Sequence, residues 1–332
     1  MAVELEQLAP HAIREKASAI RKEIGKVIVG QDQVLDEVLI AIFAGGHVLL
    51  EGVPGLGKTR LVRTIGDVID LTFSRVQFTP DLMPADITGT NILAESPDGR
   101  RQFAFEAGPI FANIVLADEI NRATPKTQSS LLEAMQEGTV TVANQVHYLP
   151  QPFFVLATQN PVEMEGTYPL PEAQLDRFFF KVEVPFPSAE ELATIVTRTV
   201  GSSNLTTSPV MSGLDVMQIT ETARHVPLAH SVLDYAIRVV MATHPTDPAA
   251  PGLVKQYVRY GASPRGAQTV VMGARLRALL DGRANVAYDD IRAMAKPALR
   301  HRIVLNFDAE ANDMSTNQII DRLLESVPDS GL

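Results

Sequence analysis

The sequence contains no cysteine among its 332 residues. This absence excludes a disulfide framework, a thiolate metal site and a cysteine nucleophile. The chain also has no surplus of basic residues, because 29 Lys and Arg stand against 39 Asp and Glu and give a formal net charge of -10. A protein built mainly to coat nucleic acid would need the opposite balance. We therefore do not expect nucleic acid to be its main partner, although composition leaves room for a local basic patch.

Two kinds of hydrophobic segment are missing as well. The N-terminal residues 1–16 lack the basic region and apolar core of a secretory signal. No apolar run approaches the ~20 residues that a membrane-spanning helix needs. We expect a cytoplasmic protein without an integral membrane segment, and a peripheral association with membranes stays open. The 45% hydrophobic and 20% charged residues are typical of ordinary globular cores.

A glycine-rich stretch at residues 48–59 carries the strongest functional signal. It reads VLLEGVPGLGKT, and apolar residues at helical spacing follow it. This is the P-loop pattern G-x-x-x-x-G-K-[ST] with a strand before it and a helix after it. Gly52, Gly55 and Gly57 let backbone N–H groups turn inward around phosphate oxygens, and the following helix points its dipole at the same anion.

Two side chains complete the P-loop chemistry. Lys58 would contact the β- and γ-phosphates of ATP, and the Thr59 hydroxyl would be a ligand for Mg²⁺. A glycine-rich turn that binds nothing is the alternative, which the full motif in its structural setting disfavours. The predicted nucleotide-binding residues here are Gly52, Val53, Pro54, Gly55, Leu56, Gly57, Lys58, Thr59 and Arg60.

A second signal is a strand that ends in two carboxylates. Residues 113–119 read NIVLADE, which predicts a strand buried on both faces. Because ligands of open α/β sheets bind at the carboxyl ends of strands, this is the Walker B pattern. Asp118 would hold the Mg²⁺ shell, and Glu119 would orient or polarise the attacking water. An acidic turn at a strand end is the alternative, and the preceding P-loop makes it less favoured.

Three further polar residues stand out in the sequence. Asn160 follows a buried strand at residues 153–157 and could bond the γ-phosphate or the attacking water, although a turn Asn before Pro161 is common. Arg177 stands where a helix gives way to the last strand and has no obvious partner in its own motif. Arg265 lies in the first turn of a helix, where the macrodipole disfavours a cation by roughly 0.3–1 kcal/mol. Facing a phosphate would offset that cost, and a solvated arginine is the alternative.

The remaining pattern predicts two hairpins inside an α/β core and then a helical domain. The first hairpin pairs residues 89–93 with 102–105 around a turn at 97–99, and the second pairs 138–142 with 146–149 around 143–145. His147 in the second hairpin is expected to be a surface or packing residue.

From Pro185 the strands stop, and Ser188 with Glu191 forms a capping box that opens a helix. Further helices are predicted at 213–223, 229–243, 264–280 and 289–299. We predict an αβα core over residues 1–186 and an all-helical domain over 187–332.

Nearly the whole chain resembles the MoxR family of AAA+ ATPases. The resemblance rests on GVPGLGKT (52–59), LADEINRA (116–123), KTQSSLLEAMQEG (126–138), ATQNPVEMEGTYPLPEAQLDRF (157–178) and SPRG (263–266). It implies a parallel five-stranded αβα core with strand order 5-1-4-3-2, an insert in helix 2, a hairpin before the sensor 1 residue, a helical lid domain and a hexameric ring.

The resemblance also implies roles for individual residues. Asn160 is similar in position to sensor 1, and Arg177 to the arginine finger that reaches the γ-phosphate held by the neighbouring subunit. Arg265 is similar to sensor 2, whether in its own subunit or in the next. Val29, Gly30 and Gln31 match the segment that packs near adenine, and Arg122 would face the subunit interface.

The function implied by the resemblance is Mg²⁺-dependent ATP hydrolysis in a chaperone that remodels, matures or assembles client protein complexes. Such relatives often work with proteins that contain a von Willebrand factor A domain. A nucleic-acid motor is the alternative, which the acidic turn at 97–99 and the uncharged turn at 143–145 disfavour, whereas Arg100 and Arg101 favour it. A scaffold that binds nucleotide without turnover is a third reading, disfavoured because the catalytic residue types are all present.

Overall fold

The computed structural model describes residues 5–95, 101–160, 166–200 and 205–329. Within these ranges, no helix has the length and apolar character that crossing a membrane would require. The predicted turn at 97–99 and the neighbouring Arg100 lie outside the described residues.

The first part of the chain, up to residue 183, alternates helices and strands. Its helices are α1 (Pro10–Ile24), α2 (Asp32–Phe43), α3 (Lys58–Val68), α4 (Pro84–Thr88), α5 (Pro125–Glu137) and α6 (Glu172–Leu175). Its strands are β1 (Val48–Glu51), β2 (Phe73–Gln77), β3 (Gly89–Glu95), β4 (Arg101–Ala107), β5 (Ile114–Asp118), β6 (Thr139–Val142), β7 (Gln145–Tyr148), β8 (Phe154–Gln159) and β9 (Phe180–Glu183).

Five of these strands form one parallel sheet in the order β2-β5-β8-β1-β9. If the five strands of this sheet (β1, β2, β5, β8 and β9) are numbered 1 to 5 in chain order, the order read from the β9 edge is 5-1-4-3-2. This is the order that the family resemblance implied, so the predicted fold is confirmed. The carboxyl ends of β5, β8 and β1 are neighbours, because these three strands are adjacent in the sheet. The P-loop, the acidic pair and Asn160 therefore meet at one edge.

Both predicted hairpins are present. The pair β3–β4 lies between β2 and β5, and the pair β6–β7 lies between α5 and β8. The turn of the second hairpin places Ala143 at φ 48° and Asn144 at φ 64°, the left-handed conformation that a tight hairpin turn requires. The rings of Phe105 on β4 and His147 on β7 stack with their centroids 3.8 Å apart, so the two hairpins contact each other.

The second part of the chain is helical, as predicted. It contains α7 (Ala189–Val200), α8 (Gly213–Arg224), α9 (His230–Met241), α10 (Gly252–Tyr257), α11 (Pro264–Leu280), α12 (Tyr288–Leu299), α13 (Phe307–Ala311) and α14 (Thr316–Ser326). The capping box before α7 is present, since Ser188 N donates to Glu191 Oε2 at 2.7 Å and Glu191 N donates to Ser188 Oγ at 3.3 Å.

One short antiparallel pair interrupts the helices of this second part. It joins β10 (Val258–Tyr260) to β11 (Val304–Leu305) and was absent from the prediction of a wholly helical domain. Segments of two and three residues are too short to carry a periodic pattern, so the sequence offers no signal for them.

The buried core lies on both faces of the sheet. One face packs against α5 and the hairpins, where Leu49, Val115 and Leu131 are fully buried. The other face belongs to a larger cluster that also includes helices from both ends of the chain, for example Ile20 of α1 and Leu276 of α11. This buried cluster crosses the predicted domain boundary at residues 186 and 187.

Candidate active site

The P-loop adopts the conformation that its glycines predict. Gly55 has φ 85° and Gly57 has φ 77°, values that L side chains rarely adopt, and no atom lies within 4 Å of a Cβ built at either position. These two glycines are therefore needed for backbone conformation and not for close packing. Helix α3 begins immediately afterwards at Lys58, so its N-terminus faces the loop. This geometry suits a phosphate group.

The Lys58 side chain lies inside the loop. Its Nζ donates a hydrogen bond to the Gly52 carbonyl oxygen. Burial lowers the pKa of Lys58, while the nearby carboxylates of Asp118, Glu119 and Glu51 act in the opposite direction. The ammonium group and the acidic pair thus share one electrostatic environment, as expected for residues that contact opposite sides of a phosphate–metal complex.

The acidic pair at the end of β5 is held by Thr158 of the neighbouring strand β8. The Thr158 hydroxyl donates to Asp118 Oδ1 at 2.6 Å and accepts a bond from Glu119 N at 2.8 Å. Glu119 itself adopts a left-handed conformation with φ 56°, which costs free energy in a residue that is not glycine. A strained residue whose backbone is fixed by a buried hydroxyl is typical of a functional position.

Side chains from the edge strand β2 and from the turn after β5 reach the same carboxylates. Arg75 donates to Asp118 Oδ2 through Nη2 at 2.7 Å and through Nε at 3.1 Å. Gln77 donates to Glu119 Oε2 at 2.9 Å, and Arg122 forms an ion pair with the same oxygen at 3.0 Å. Each carboxylate is thus oriented by a donor from β2, which lies outside its own motif.

The sequence did not point to Arg75, Gln77 or Thr158. Arg75 and Gln77 alternate along an exposed strand edge, which is the ordinary pattern of a half-buried strand. Their proximity to residues 118 and 119 follows from the pairing of β2 with β5. Only the strand order could have identified them.

An apolar cavity of about 290 Å³ adjoins the P-loop. Val29 and Ile28 line it on one side, and Phe186 and Ile195 line it on the other. Gln31 fastens this segment to the loop through a bond from Nε2 to the Leu56 carbonyl oxygen at 2.9 Å. Gly30 has φ 70° in the turn between α1 and α2. The structure thus places Val29 and Gln31 beside the P-loop, whereas Gly30 lines a second cavity with Glu37 and Glu183. The cavity beside the P-loop has the apolar lining that a nucleotide base requires.

The remaining predicted site residues divide into two groups. Asn160 is buried, 6% exposed, and comes directly after β8, the strand that pairs with β5. Arg177 and Arg265, in contrast, line a separate cavity of about 380 Å³ together with Gly45 and His47. Gly45 and His47 precede β1, whereas the P-loop follows it.

The separation of the two groups can be estimated from the sheet. Four residues of β1 span about 13 Å at the usual strand rise. Arg177 precedes β9, which runs parallel to β1, so it lies at the amino edge of the sheet. It donates to the Leu132 carbonyl oxygen at 3.0 Å. Arg265 is 51% exposed and lies 3.6 Å from Asp176. Neither arginine lines the cavity at the P-loop of its own chain.

A magnesium ion would find suitable donors at the carboxyl edge. Mg²⁺ keeps several water ligands and takes a few hard oxygens from protein and phosphate. Asp118 and Thr59 supply oxygens of this kind. A carboxylate has about four lone-pair directions, and Asp118 Oδ1 accepts only the Thr158 bond among the described contacts. The residues therefore fit the ion.

Comparison with known proteins agrees with this architecture. Residues 47–180 match the family model of the "ATPase family associated with various cellular activities (AAA)", and residues 252–323 match the AAA lid domain. A structure titled "crystal structure of a putative ATPase" from Cytophaga hutchinsonii superposes with a TM-score of 0.89 at 42% identity, and the match covers 96% of both chains. The fold and site thus define an AAA-type P-loop protein.

Sequence relatives narrow the assignment. "Chaperone MoxR1" of Mycobacterium tuberculosis is 46% identical over 305 residues, which are 92% of this chain and 80% of that protein. "Uncharacterized protein YeaC" of Bacillus subtilis is 42% identical, with 92% of each chain covered. "Protein MoxR" of Methylorubrum extorquens is 34% identical over 95% of this chain and 94% of its own. The chain therefore belongs to the MoxR family of AAA+ ATPases.

Proposed function

We propose that this protein hydrolyses ATP with Mg²⁺ at sites that are each completed by an arginine from a neighbouring subunit. The observation that carries the proposal is the split of the site residues between two edges of one sheet. Lys58, Asp118, Glu119 and Asn160 meet at the carboxyl edge. Arg177 lies at the amino edge, so in a ring it can face the carboxyl edge of the next copy.

Each residue has a role that follows from its chemistry and position. The P-loop N–H groups and Lys58 hold the phosphates, and Lys58 exchanges its bond to the Gly52 carbonyl for one to a phosphate oxygen. Glu119 accepts a bond from the attacking water and orients it, while Asn160 donates to the same region. When bound through Asp118 and Thr59, Mg²⁺ would supply charge neutralisation.

The neighbour's Arg177 supplies the remaining positive charge. Charge develops on the γ-phosphoryl oxygens in the transition state, and an arginine finger is worth roughly 10³–10⁵ in rate in related P-loop enzymes. Arg265 shares a cavity with Arg177, so both would enter the same neighbouring site. The cost of a cation at the start of α11 would then be offset by the nucleotide of the next subunit.

We further propose that the hydrolysis cycle remodels protein clients. A relative named as a chaperone supports this role. The two hairpins support it physically, because they carry large apolar side chains that are exposed: Ile92, Leu93, Phe103, Val146 and Tyr148. Exposed apolar groups of this kind mark surfaces that bind other proteins. A partner with a von Willebrand factor A domain is carried over from the resemblance alone.

The alternative of a nucleic-acid motor has less support. Arg101 lies directly opposite Glu95 across the first hairpin, so its charge has an acidic neighbour. Among the described residues of β3 and β4, the exposed neighbours of Arg101 are apolar, polar or acidic, for example Phe103, Gln102 and Glu106. A phosphate-tracking surface would need a row of cations.

Steady-state phosphate release tests the proposal. We expect wild-type protein to release phosphate with Mg²⁺ and to stop when the metal is chelated. Lys58→Ala should abolish binding of a fluorescent ATP analogue, whereas Glu119→Gln should retain binding and lose turnover. Release that persists unchanged in Glu119→Gln would contradict the assigned role of the carboxylate.

A further inference from the structure

The segment that follows α12 contains an arginine that the motifs did not single out. Arg302 is almost completely buried, with 2% of its side chain exposed. It belongs to the second, helical part of the chain, yet its guanidinium contacts the corner that carries Arg177. Buried cations are rare, and they persist where their hydrogen bonds define one arrangement of the chain.

Arg302 forms hydrogen bonds with the residues that precede and follow Arg177 in the chain. Nε donates to Asp176 Oδ1 at 2.8 Å, and Nη2 donates to the backbone carbonyls of Asp176 at 3.0 Å and Phe178 at 2.7 Å. Nη1 donates to the Phe179 carbonyl at 3.2 Å. One rigid, planar group therefore binds the backbone carbonyls of the residues on either side of Arg177.

Other residues of the helical part meet at the same corner. Ser263 Oγ donates to Asp176 Oδ1 at 2.8 Å, and Arg265 pairs with the second oxygen of that carboxylate. His301 Nε2 lies 3.1 Å from the Phe178 carbonyl oxygen. The start of α11 and the segment after α12 are thus fastened to the residues on either side of Arg177.

We propose that Arg302 is a positioning residue for Arg177. It fixes the backbone from which the finger projects and ties that backbone to the helical domain, so a movement of this domain in one subunit moves the finger in the active site of the next. The inference rests on the proposed function, because it requires that Arg177 acts on a neighbour. A misplacement of 1 Å at a catalytic group can cost about 100-fold in rate.

A donor–acceptor assay separates this role from general stability. The acceptor is Arg177→Ala, which keeps its own P-loop and lacks a finger. The donor is Lys58→Ala, which lacks a working P-loop and keeps the finger. ATP hydrolysis in their mixture then comes from acceptor sites completed by donor fingers. Additional substitutions are made in the donor alone, and mixed assembly is verified by native mass spectrometry.

We expect Arg302→Met in the donor to lower kcat of the mixture by about 100-fold. The KM for ATP should stay unchanged, because the acceptor's nucleotide pocket is intact. Arg300→Met in the donor is the matched control: Arg300 is also buried, 6% exposed, and lies two residues away, but it pairs with Glu183 at 3.0 Å. The control mixture should keep most of its rate.

The outcomes are distinct. If the Arg302→Met donor supports the same rate as the parent donor at equal incorporation, the inference is wrong. If a donor that also carries Arg177→Ala supports the same rate as the parent donor, the proposed function fails instead. Should Arg302→Met prevent assembly, Arg302→Lys in the donor decides by the same criterion, because lysine keeps the charge beside Asp176 and loses the planar group that bonds the backbone carbonyls.

Discussion

At the scale of single residues, the Thr158 hydroxyl connects the two acidic residues of the site. It is 1% exposed, and it bonds the Asp118 side chain and the Glu119 backbone at once. Thr158→Val keeps the shape and removes both bonds. The Glu119 N–H would then be left without this partner, which costs roughly 1–3 kcal/mol in the free energy of unfolding.

The same substitution should affect catalysis more than binding. With its strained backbone released, Glu119 would no longer orient water, so we expect Thr158→Val to lower kcat at least tenfold with little change in KM for ATP. The matched control is Thr222→Val in α8, where the hydroxyl likewise accepts from a backbone N–H, that of Leu8, and donates to the Gln218 carbonyl. A rate lost equally in both variants would contradict a specific role for Thr158.

Local motifs made part of this site predictable. The P-loop and the residues 118 and 119 are recognisable because each is a contiguous pattern with one chemical meaning. Thr158 and Arg75 are not, since their contacts depend on which strands lie side by side. Arg302 is still harder to foresee, because it reaches Asp176 from a segment that is 126 residues away in sequence.

At the scale of elements, a buried histidine lies where α2 leads into β1. Val155 N donates to His47 Nδ1 at 3.0 Å, and His47 Nε2 lies 2.9 Å from the Met135 carbonyl oxygen. This arrangement requires the neutral ring with its proton on Nε2. Burial lowers the pKa of His47 from 6.5 to about 4. His47 thus links three elements only while it is uncharged.

The sign of the resulting pH dependence follows from proton binding. Between pH 6.5 and pH 4 the unfolded chain protonates this histidine and the folded protein does not, so stability falls as the pH falls. At pH 5 the contribution lost is about 2 kcal/mol. We therefore expect the free energy of unfolding from urea denaturation to fall by about 2 kcal/mol less in His47→Gln than in wild type between neutral pH and pH 5. Substitution of the exposed His230 by Gln is the control, and an unchanged slope in His47→Gln would contradict the prediction.

The contact between the hairpins gives a second prediction for elements. Phe105 of β4 stacks on His147 of β7, whereas Phe103 of the same strand is 77% exposed. An aromatic pair is worth about 0.5–1.5 kcal/mol. Phe105→Ala should therefore speed amide hydrogen exchange in β6 and β7 by roughly two- to tenfold, although the substitution is in the other hairpin.

The control for this measurement is Phe103→Ala, which removes a ring of equal size from the same strand. It should leave exchange in β6 and β7 unchanged. No effect of Phe105→Ala would show that the hairpins move independently. Equal effects of both substitutions would show that the coupling does not depend on the stacked ring. The sequence predicted His147 as a surface or packing residue, and the stack on Phe105 is the packing role.

The order of elements was largely predictable because strands and helices differ in hydrophobic period. The packing of these elements against one another was less predictable. The prediction of two domains that divide at 186 and 187 followed the change from alternating elements to helices. The buried cluster, however, joins α1 and α2 to α8 and α11, since apolar faces pack wherever the chain brings them together.

At the scale of the whole molecule, the arginines and the nucleotide pocket occupy opposite edges of the sheet. Under the proposed function, a single copy therefore holds a nucleotide pocket without its arginine finger, and a finger without the pocket on which it acts. Such a division would make turnover depend on assembly, and it would allow a change in one subunit to alter hydrolysis in the next. Ring closure would repeat the same contact between each pair of neighbours.

The most direct test is phosphate release per subunit, measured over a hundredfold range of protein concentration at saturating ATP and Mg²⁺. We predict that the rate per subunit rises with concentration to a plateau as assembly becomes complete, and that Arg177→Ala stays near the low limit throughout while it still binds ATP. A rate per subunit that does not change with concentration and is unaffected by Arg177→Ala would contradict the shared active site.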